Sequence, residues 1–191
     1  MCYMKIILGS KSPRRRELLS MLGYEFLVEV SDIDEHVSET DPQKNALAIA
    51  RKKAQAIKQK YPNDLIICAD TIVVCDGTII GKPKDIDDAR RIITKIQDNK
   101  HIVYTAVVCS YSDKKVEFVE GTKVYITKMT SEEIEEYINT SEPYDKSGGY
   151  AIQGIFGKYI EKIDGDFYNV VGLPICKLNR IIEKIIKNSN H

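Results

Sequence analysis

The residues of this chain that could do chemistry are charged groups in places unfavourable to charge. Asp70 interrupts the run Leu65-Ile-Ile-Cys-Ala-Asp-Thr-Ile-Val-Val-Cys75, which is otherwise almost wholly apolar. An ionised carboxylate there is destabilising by several kcal/mol unless it is paired or bound to a cation. An edge strand, a solvent-facing bulge or an Asx-type turn would be its bland settings. The functional setting is a carboxylate at a strand end that holds a cation or orients water. Lys53 lies beside the helical stripe of Ala50 and Ile57, where lysines usually snorkel to solvent, and Lys52 points away from it. Lys82 stands in Gly81-Lys82-Pro83, whose backbone is restricted on both sides. Asp34-Glu35 reads as a solvated loop pair or as oxygen ligands for Mg²⁺ or Mn²⁺.

A second group of charges opens a helix. Ser10–Leu19 reads Ser-Lys-Ser-Pro-Arg-Arg-Arg-Glu-Leu-Leu, with Ser12 suited to the N-cap and Pro13 to the first helical position. Arg14, Arg15 and Arg16 then crowd the first turn, where the helix dipole disfavours each cation by roughly 0.3–1 kcal/mol. A bound polyanion would reverse the sign, because free N–H groups, the dipole and guanidinium forks would all address one phosphate. The bland alternative is a basic surface turn offset by Glu17. Together the acids Glu35 and Asp70 and the bases Arg14, Arg15, Lys53 and Lys82 form an inventory for metal-assisted chemistry on a nucleoside triphosphate. The sequence has no G-x-x-x-x-G-K-[ST] loop and no G-x-G-x-x-G near its first strand, so neither a P-loop nor a Rossmann dinucleotide site is expected.

The elements that must position these groups alternate. A strand over 4–8 leads to a helix over 14–22 and a strand over 25–30. Asp41-Pro42 starts a helix over 42–60, with Leu47, Ala50, Ala54 and Ile57 on one face. The β-rich segments 65–69 and 72–75 end at Asp76-Gly77, a hairpin turn signal. A helix capped by Asp85 runs to Ile96. Strands over 101–110 and 115–127 join at Ser112-Asp113, and Ser131 opens a helix to Asn139. A glycine-containing loop follows over 141–154. Residues 156–163 and 167–171 are expected to pair as strands around Asp164-Gly165, and a last helix spans 174–187. The pattern predicts an α/β fold with a mixed sheet.

The 191 residues suffice for one large domain, taken here as 1–191. A formal net charge of +0 and a pI near 6.8 argue against a nucleic-acid polymer as partner, so any basic site must be local. No apolar run is long enough to span a bilayer and no signal peptide is evident, so no membrane partner and a cytoplasmic location are expected. Cys2, Cys68, Cys75, Cys109 and Cys176 are odd in number and lack C-x-x-C spacing, and read as reduced thiols. Three scattered histidines do not suggest a metal cluster or a triad.

End to end, the chain resembles the Maf family of nucleotide pyrophosphatases, once described as septum-formation inhibitors. The resemblance rests on Ser10–Leu19, Asp34-Glu35, Ala50-Arg-Lys-Lys-Ala54, Ala69-Asp-Thr-Ile-Val73, Gly81-Lys-Pro83, Asp145-Lys-Ser-Gly-Gly-Tyr-Ala-Ile-Gln-Gly154 and Val171-Gly-Leu-Pro174. It implies hydrolysis of nucleoside triphosphates to the monophosphate and pyrophosphate, with a divalent cation, in a house-cleaning role. It also implies a mixed, twisted sheet flanked by helices, with two lobes around a cleft, as in inosine triphosphate pyrophosphatases. Dimerisation is an expectation of the same resemblance.

Arg14, Thr71 and Gln153 place the chain with members similar to the dTTP/UTP enzymes, so these three are the expected specificity residues. The Gln153 amide can donate and accept, which suits the O4 and N3–H edge of uracil or thymine. The resemblance implies Asp70 as proton acceptor for water or as metal ligand, and Glu35 as a further metal ligand. It assigns Ser10, Ser12, Arg14, Arg15, Lys53 and Lys82 to phosphate. Lys11 departs from the small or neutral residue common at its position and is expected to face solvent. Tyr150 either packs or stacks on the base, and Gly148-Gly149 are read as structural. The rival readings are a non-catalytic regulator of cell division that acts by protein binding, and a pyrophosphatase for modified purine nucleotides.

Overall fold

The computed structural model describes residues 4–189, so Cys2 lies outside the described residues. Strand β1 (Ile6–Gly9) is flanked by β2 (Phe26–Val28) and β3 (Leu65–Cys75), and both pairings are parallel. Helix α1 (Pro13–Ser20) connects β1 to β2, and α2 (Pro42–Lys60) connects β2 to β3. These are crossover connections, as parallel neighbours require. Residues 7 and 8 of β1 and 65–67 of β3 are apolar and fully buried, as in a strand covered on both faces.

The remaining elements mix hairpins with helices. Strand β4 (Thr78–Ile80) folds back on β3 through Asp76-Gly77, both at positive φ. Then come α3 (Ile86–Ile96), β5 (Lys100–Tyr111), β6 (Lys114–Ile126), α4 (Ser131–Ile138), β7 (Ile160–Asp164), α5 (Phe167–Val171) and α6 (Ile175–Ser189). Among the described residues the sheet has seven strands, in the order β2-β1-β3-β5-β6-β7, with β4 on β3. Parallel and antiparallel pairs both occur, so the fold is the mixed α/β class expected.

The chain divides into two compact units. One holds the chain up to Asp70, Thr105–Glu120 and the chain from Gly172 onward. Its core sets Leu18, Leu19, Ala50 and Ile57 with the buried strand residues 65–69 and 106–109. The other holds Thr71–Tyr104 and Gly121–Val171. Its core joins Val73, Ile92, Ile93, Ile96 and Val124 to the aromatic group Tyr137, Tyr150, Phe156 and Tyr159.

Two sequence expectations are corrected. β3 runs unbroken through Asp70, so that carboxylate is in mid-strand and not at a strand end. Residues 167–171 form a helix, and β7 pairs antiparallel with β6. The reason is a buried polar node around Thr122. Its Oγ1 donates to the Asp166 carbonyl at 3.0 Å and accepts from Asp166 N–H at 3.1 Å and Asn169 Nδ2 at 3.0 Å. Asn169 Nδ2 also donates to the Val103 carbonyl at 3.0 Å, and Asp166 Oδ1 accepts the Tyr168 N–H at 2.8 Å. These bonds turn the chain after Gly165 and satisfy the start of a helix. The aromatic and β-branched residues of Phe167-Tyr-Asn-Val-Val171 alone read as a strand.

Candidate active site

Construction begins at the end of β1. A Cβ on Gly9 would stand 2.2 Å from Cys68 Sγ and 2.5 Å from Ile57 Cδ1, so only glycine lets the chain pass between β3 and α2 here. Ser10 follows, buried. Its Oγ accepts the Ser12 N–H at 3.1 Å and an Arg15 Nη1–H at 3.4 Å. Ser12 caps α1, accepting from Arg15 N–H at 3.4 Å, with Pro13 behind it. Lys11 is exposed, as expected.

Arg15 eases the charge conflict of the first turn by giving its guanidinium to carbonyls outside the helix. Its Nε donates to the Gly172 carbonyl at 2.8 Å and Nη1 to the Ala69 carbonyl at 2.9 Å. Burial lowers its pKa from the ordinary arginine value, and the nearby Asp70 carboxylate opposes that shift. Guanidinium stays protonated under such conditions. Arg15 therefore ties α1 to the strand residue next to Asp70. Arg14 is half-buried and Arg16 exposed on the same turn.

Asp41 caps α2 through the Lys44 N–H at 2.9 Å, and Pro42 takes the first turn. The helix turns Ala46, Ile49, Ala50, Ala54 and Ile57 inward, which brings Lys53 over β3. Lys53 does not snorkel: its side chain is 13% exposed, and Nζ lies 2.8 Å from Asp70 Oδ1 and 3.1 Å from Glu35 Oε1. One ammonium thus joins the two carboxylates picked out in the sequence.

Lys52, read as pointing away, reaches the same loop from outside. Its Nζ donates to the His36 carbonyl at 2.7 Å, with the Asp34 carbonyl at 3.4 Å, while Asp34 Oδ1 accepts the His36 N–H at 2.9 Å. Adjacent lysines therefore hold the Glu35 loop by its backbone and by its carboxylate. Helical periodicity could not reveal this, because the position of the 34–36 loop beside α2 is a tertiary fact.

The other expected residues lie in the second unit. Thr71 follows Asp70 on β3 and is half-buried. Lys82 is exposed between β4 and α3, and the neighbouring Gly81 carbonyl accepts the Gly148 N–H at 3.1 Å. Gly148 has φ +78°, and a Cβ there would meet Val73 Cγ2 at 2.8 Å. Gln153 is exposed on a turn closed by the Gly154 N–H and the Ala151 carbonyl at 3.1 Å. Tyr150 is 6% exposed, and its hydroxyl lies 2.6 Å from His101 Nε2. Its ring centroid is 5.0 Å from that of Phe156, so Tyr150 packs in the core.

Glu35 and Asp70 direct one oxygen each at the same ammonium, a donor set of hard oxygens around a positive centre. Mg²⁺ and Mn²⁺ commonly take one or two protein carboxylates and complete their shell with phosphate and water. Among the described residues no group of three or more His, Cys, Asp or Glu is gathered as a closed metal cage. The residues thus fit a cation shared with a phosphate ligand. Among the described residues no helix is long and apolar enough to cross a membrane.

A family model described as Maf-like protein matches residues 5–185. The chain belongs to the Maf family. A protein of Acholeplasma laidlawii named dTTP/UTP pyrophosphatase is 47% identical over 182 residues, which cover 94% of each chain. A Thermoanaerobacter protein of the same name is 47% identical over 184 residues, 95% of this chain and 96% of its own. Among solved structures, a nucleoside-triphosphatase / dITP/XTP pyrophosphatase from Mycobacterium abscessus matches 67% of this Maf-family chain and 77% of its own, with TM-score 0.42 and 15% identity.

Proposed function

We propose that this protein hydrolyses dTTP and UTP to the monophosphate and pyrophosphate. The observation that carries the reading is the buried mid-strand Asp70, held by Lys53 together with Glu35, in a chain 47% identical to proteins named dTTP/UTP pyrophosphatase. A purely structural strand gains nothing from such a carboxylate, which must be desolvated and then paired.

In this reading a water oxygen bonds to the α-phosphorus while the bond from that phosphorus to the bridging oxygen of the pyrophosphate breaks. Asp70 accepts the proton of the attacking water. Lys53, Lys82 and Arg14 offset charge that grows on the departing pyrophosphate. Arg15 adds its charge and holds Ser10 and Ser12, whose hydroxyls and N–H groups line the phosphate end. Glu35 and Asp70 would hold the divalent cation, which supplies charge neutralisation and a more acidic water. Arg14, Thr71 and Gln153 select the base, Gln153 through its amide. The same proposal takes 1–191 as one working Maf-like domain, a homodimer in the cytoplasm with a house-cleaning role.

The test is pyrophosphate release from a panel of nucleoside triphosphates with Mg²⁺ or Mn²⁺. Metal-dependent release from dTTP and UTP, lost in Asp70→Asn, is the expected result. No release from any nucleotide by the folded protein with either metal would favour a binding role instead. Release from purine nucleotides with UTP ignored would overturn the base assignment.

A further inference from the structure

Glu142 was not singled out by the sequence, yet its carboxylate is one of the most heavily used polar groups of the second unit. Oε2 accepts the Ile155 N–H at 2.7 Å, and Oε1 accepts the Phe156 N–H at 3.1 Å. The Tyr137 hydroxyl lies 3.0 Å from Oε1. Glu142 is itself pinned: its N–H donates to Thr140 Oγ1 at 3.3 Å and its carbonyl accepts from Lys146 Nζ at 2.9 Å. The segment that it grips begins two residues after Gln153. Gly154, between them, has φ −104° and ψ −157°, extended backbone that any residue adopts. A Cβ there would nevertheless fall 2.0 Å from Glu142 Oε2. Glycine stands at 154 to make room for the carboxylate, not to reach a special backbone conformation.

We propose that Glu142 is a positioning residue for base selection, fixing the turn that presents Gln153 by clamping the two N–H groups just beyond it. The proposal rests on the reading of Gln153 as the base-selecting residue. Gln153 is exposed and its own turn is closed by a single backbone bond, so the aim of its amide depends on what anchors the turn's far end. Phe156 anchors that end through the aromatic core, with ring centroids 4.9 Å from Tyr137 and 5.0 Å from Tyr150. Glu142 anchors it through hydrogen bonds. A hydrogen-bonding site discriminates between bases only while its donor and acceptor stay in register with the base edge.

Glu142→Gln keeps the shape but replaces one accepting oxygen with an NH₂ group. One of the two N–H groups then faces another donor and loses its bond. The expected result is about a tenfold fall in the ratio of kcat/KM for UTP to that for CTP, which carries an amino group where UTP carries O4. Amide hydrogen exchange at Ile155 and Phe156 should accelerate at the same time. Gln153→Ala is the reference, and Glu142→Gln added to it should lower the ratio no further. Full selectivity in a folded Glu142→Gln, with Gln153→Ala losing it, would overturn the proposal and keep the reading of Gln153. Full selectivity in Gln153→Ala would overturn that reading and the proposal with it. If Glu142→Gln does not fold, Gly154→Ala displaces the carboxylate from the other side and carries the same expectations.

Discussion

Asp70 Oδ1 and Lys53 Nζ stand 2.8 Å apart with each side chain 13% exposed, so neither charge is well served by water. Asp70→Asn preserves shape and can still accept from Lys53 through its amide oxygen. It should leave the fold intact and lower kcat by about 10²–10⁴-fold, the usual contribution of a positioned general base, read by pyrophosphate release. Lys53→Met strands a buried carboxylate. Its expected effect is a loss of roughly 3–5 kcal/mol in urea unfolding as well as loss of turnover. His101 makes a prediction of different sign. Burial pushes its pKa down to about 4 from an ordinary 6.5, so the unfolded chain binds the proton more readily than the folded one. Its contribution to stability is complete above about pH 6.5 and is lost as pH falls from there toward about 4. Wild type should lose about 3 kcal/mol across that window through this group. His101→Gln, measured by urea unfolding at pH 7 and 4.5, should show a flatter dependence.

At the scale of elements, the loop over 141–154 gains its order from two short 3₁₀ turns, Pro143–Asp145 and Ser147–Gly149, and from glycines and polar anchors. Gly148→Ala meets both a positive φ of +78° and the Val73 side chain. It should cost about 2 kcal/mol or more in thermal or urea unfolding. Because Gly148 N–H holds the Gly81 carbonyl beside Lys82, KM for the triphosphate should rise as well. Helices α1, α2, α3 and α4 were all legible in advance, since each carries its start signal in the sequence. Ser12-Pro13 and Asp41-Pro42 are local caps, Asp85 accepts the Asp88 N–H at 2.8 Å, and α4 starts at Ser131 as expected, although its N-cap is the preceding Thr130, in an unanticipated capping box with Glu133. Helix α5 was not legible, because its start depends on Thr122, 44 residues away from Asp166 in the chain.

Across the whole molecule, three long strands, β3, β5 and β6, carry the chain from one compact unit into the other. Two of them bury thiols: burial pushes Cys68 and Cys109 up to about 12, and Cys75 is also raised. Thiolate, not thiol, reacts with disulfide reagents. In the folded protein Cys176 should label readily, while Cys68, Cys75 and Cys109 should label only at the rate of global unfolding, followed by peptide mapping. By itself the sequence determined what is local: the helices that carry their own start signals, most of the strands, the glycine turns and the charged residues that apolar surroundings make conspicuous. It also determined family membership, because ordered motifs keep their spacing along the chain. Only the tertiary structure decided which charges meet. Lys53 pairs with Glu35 18 residues before it and with Asp70 17 residues after it, and Arg15 reaches the Ala69 and Gly172 carbonyls, 54 and 157 residues away. Such contacts depend on the register of strands and the rotation of helices over them, which arise when distant segments share one core.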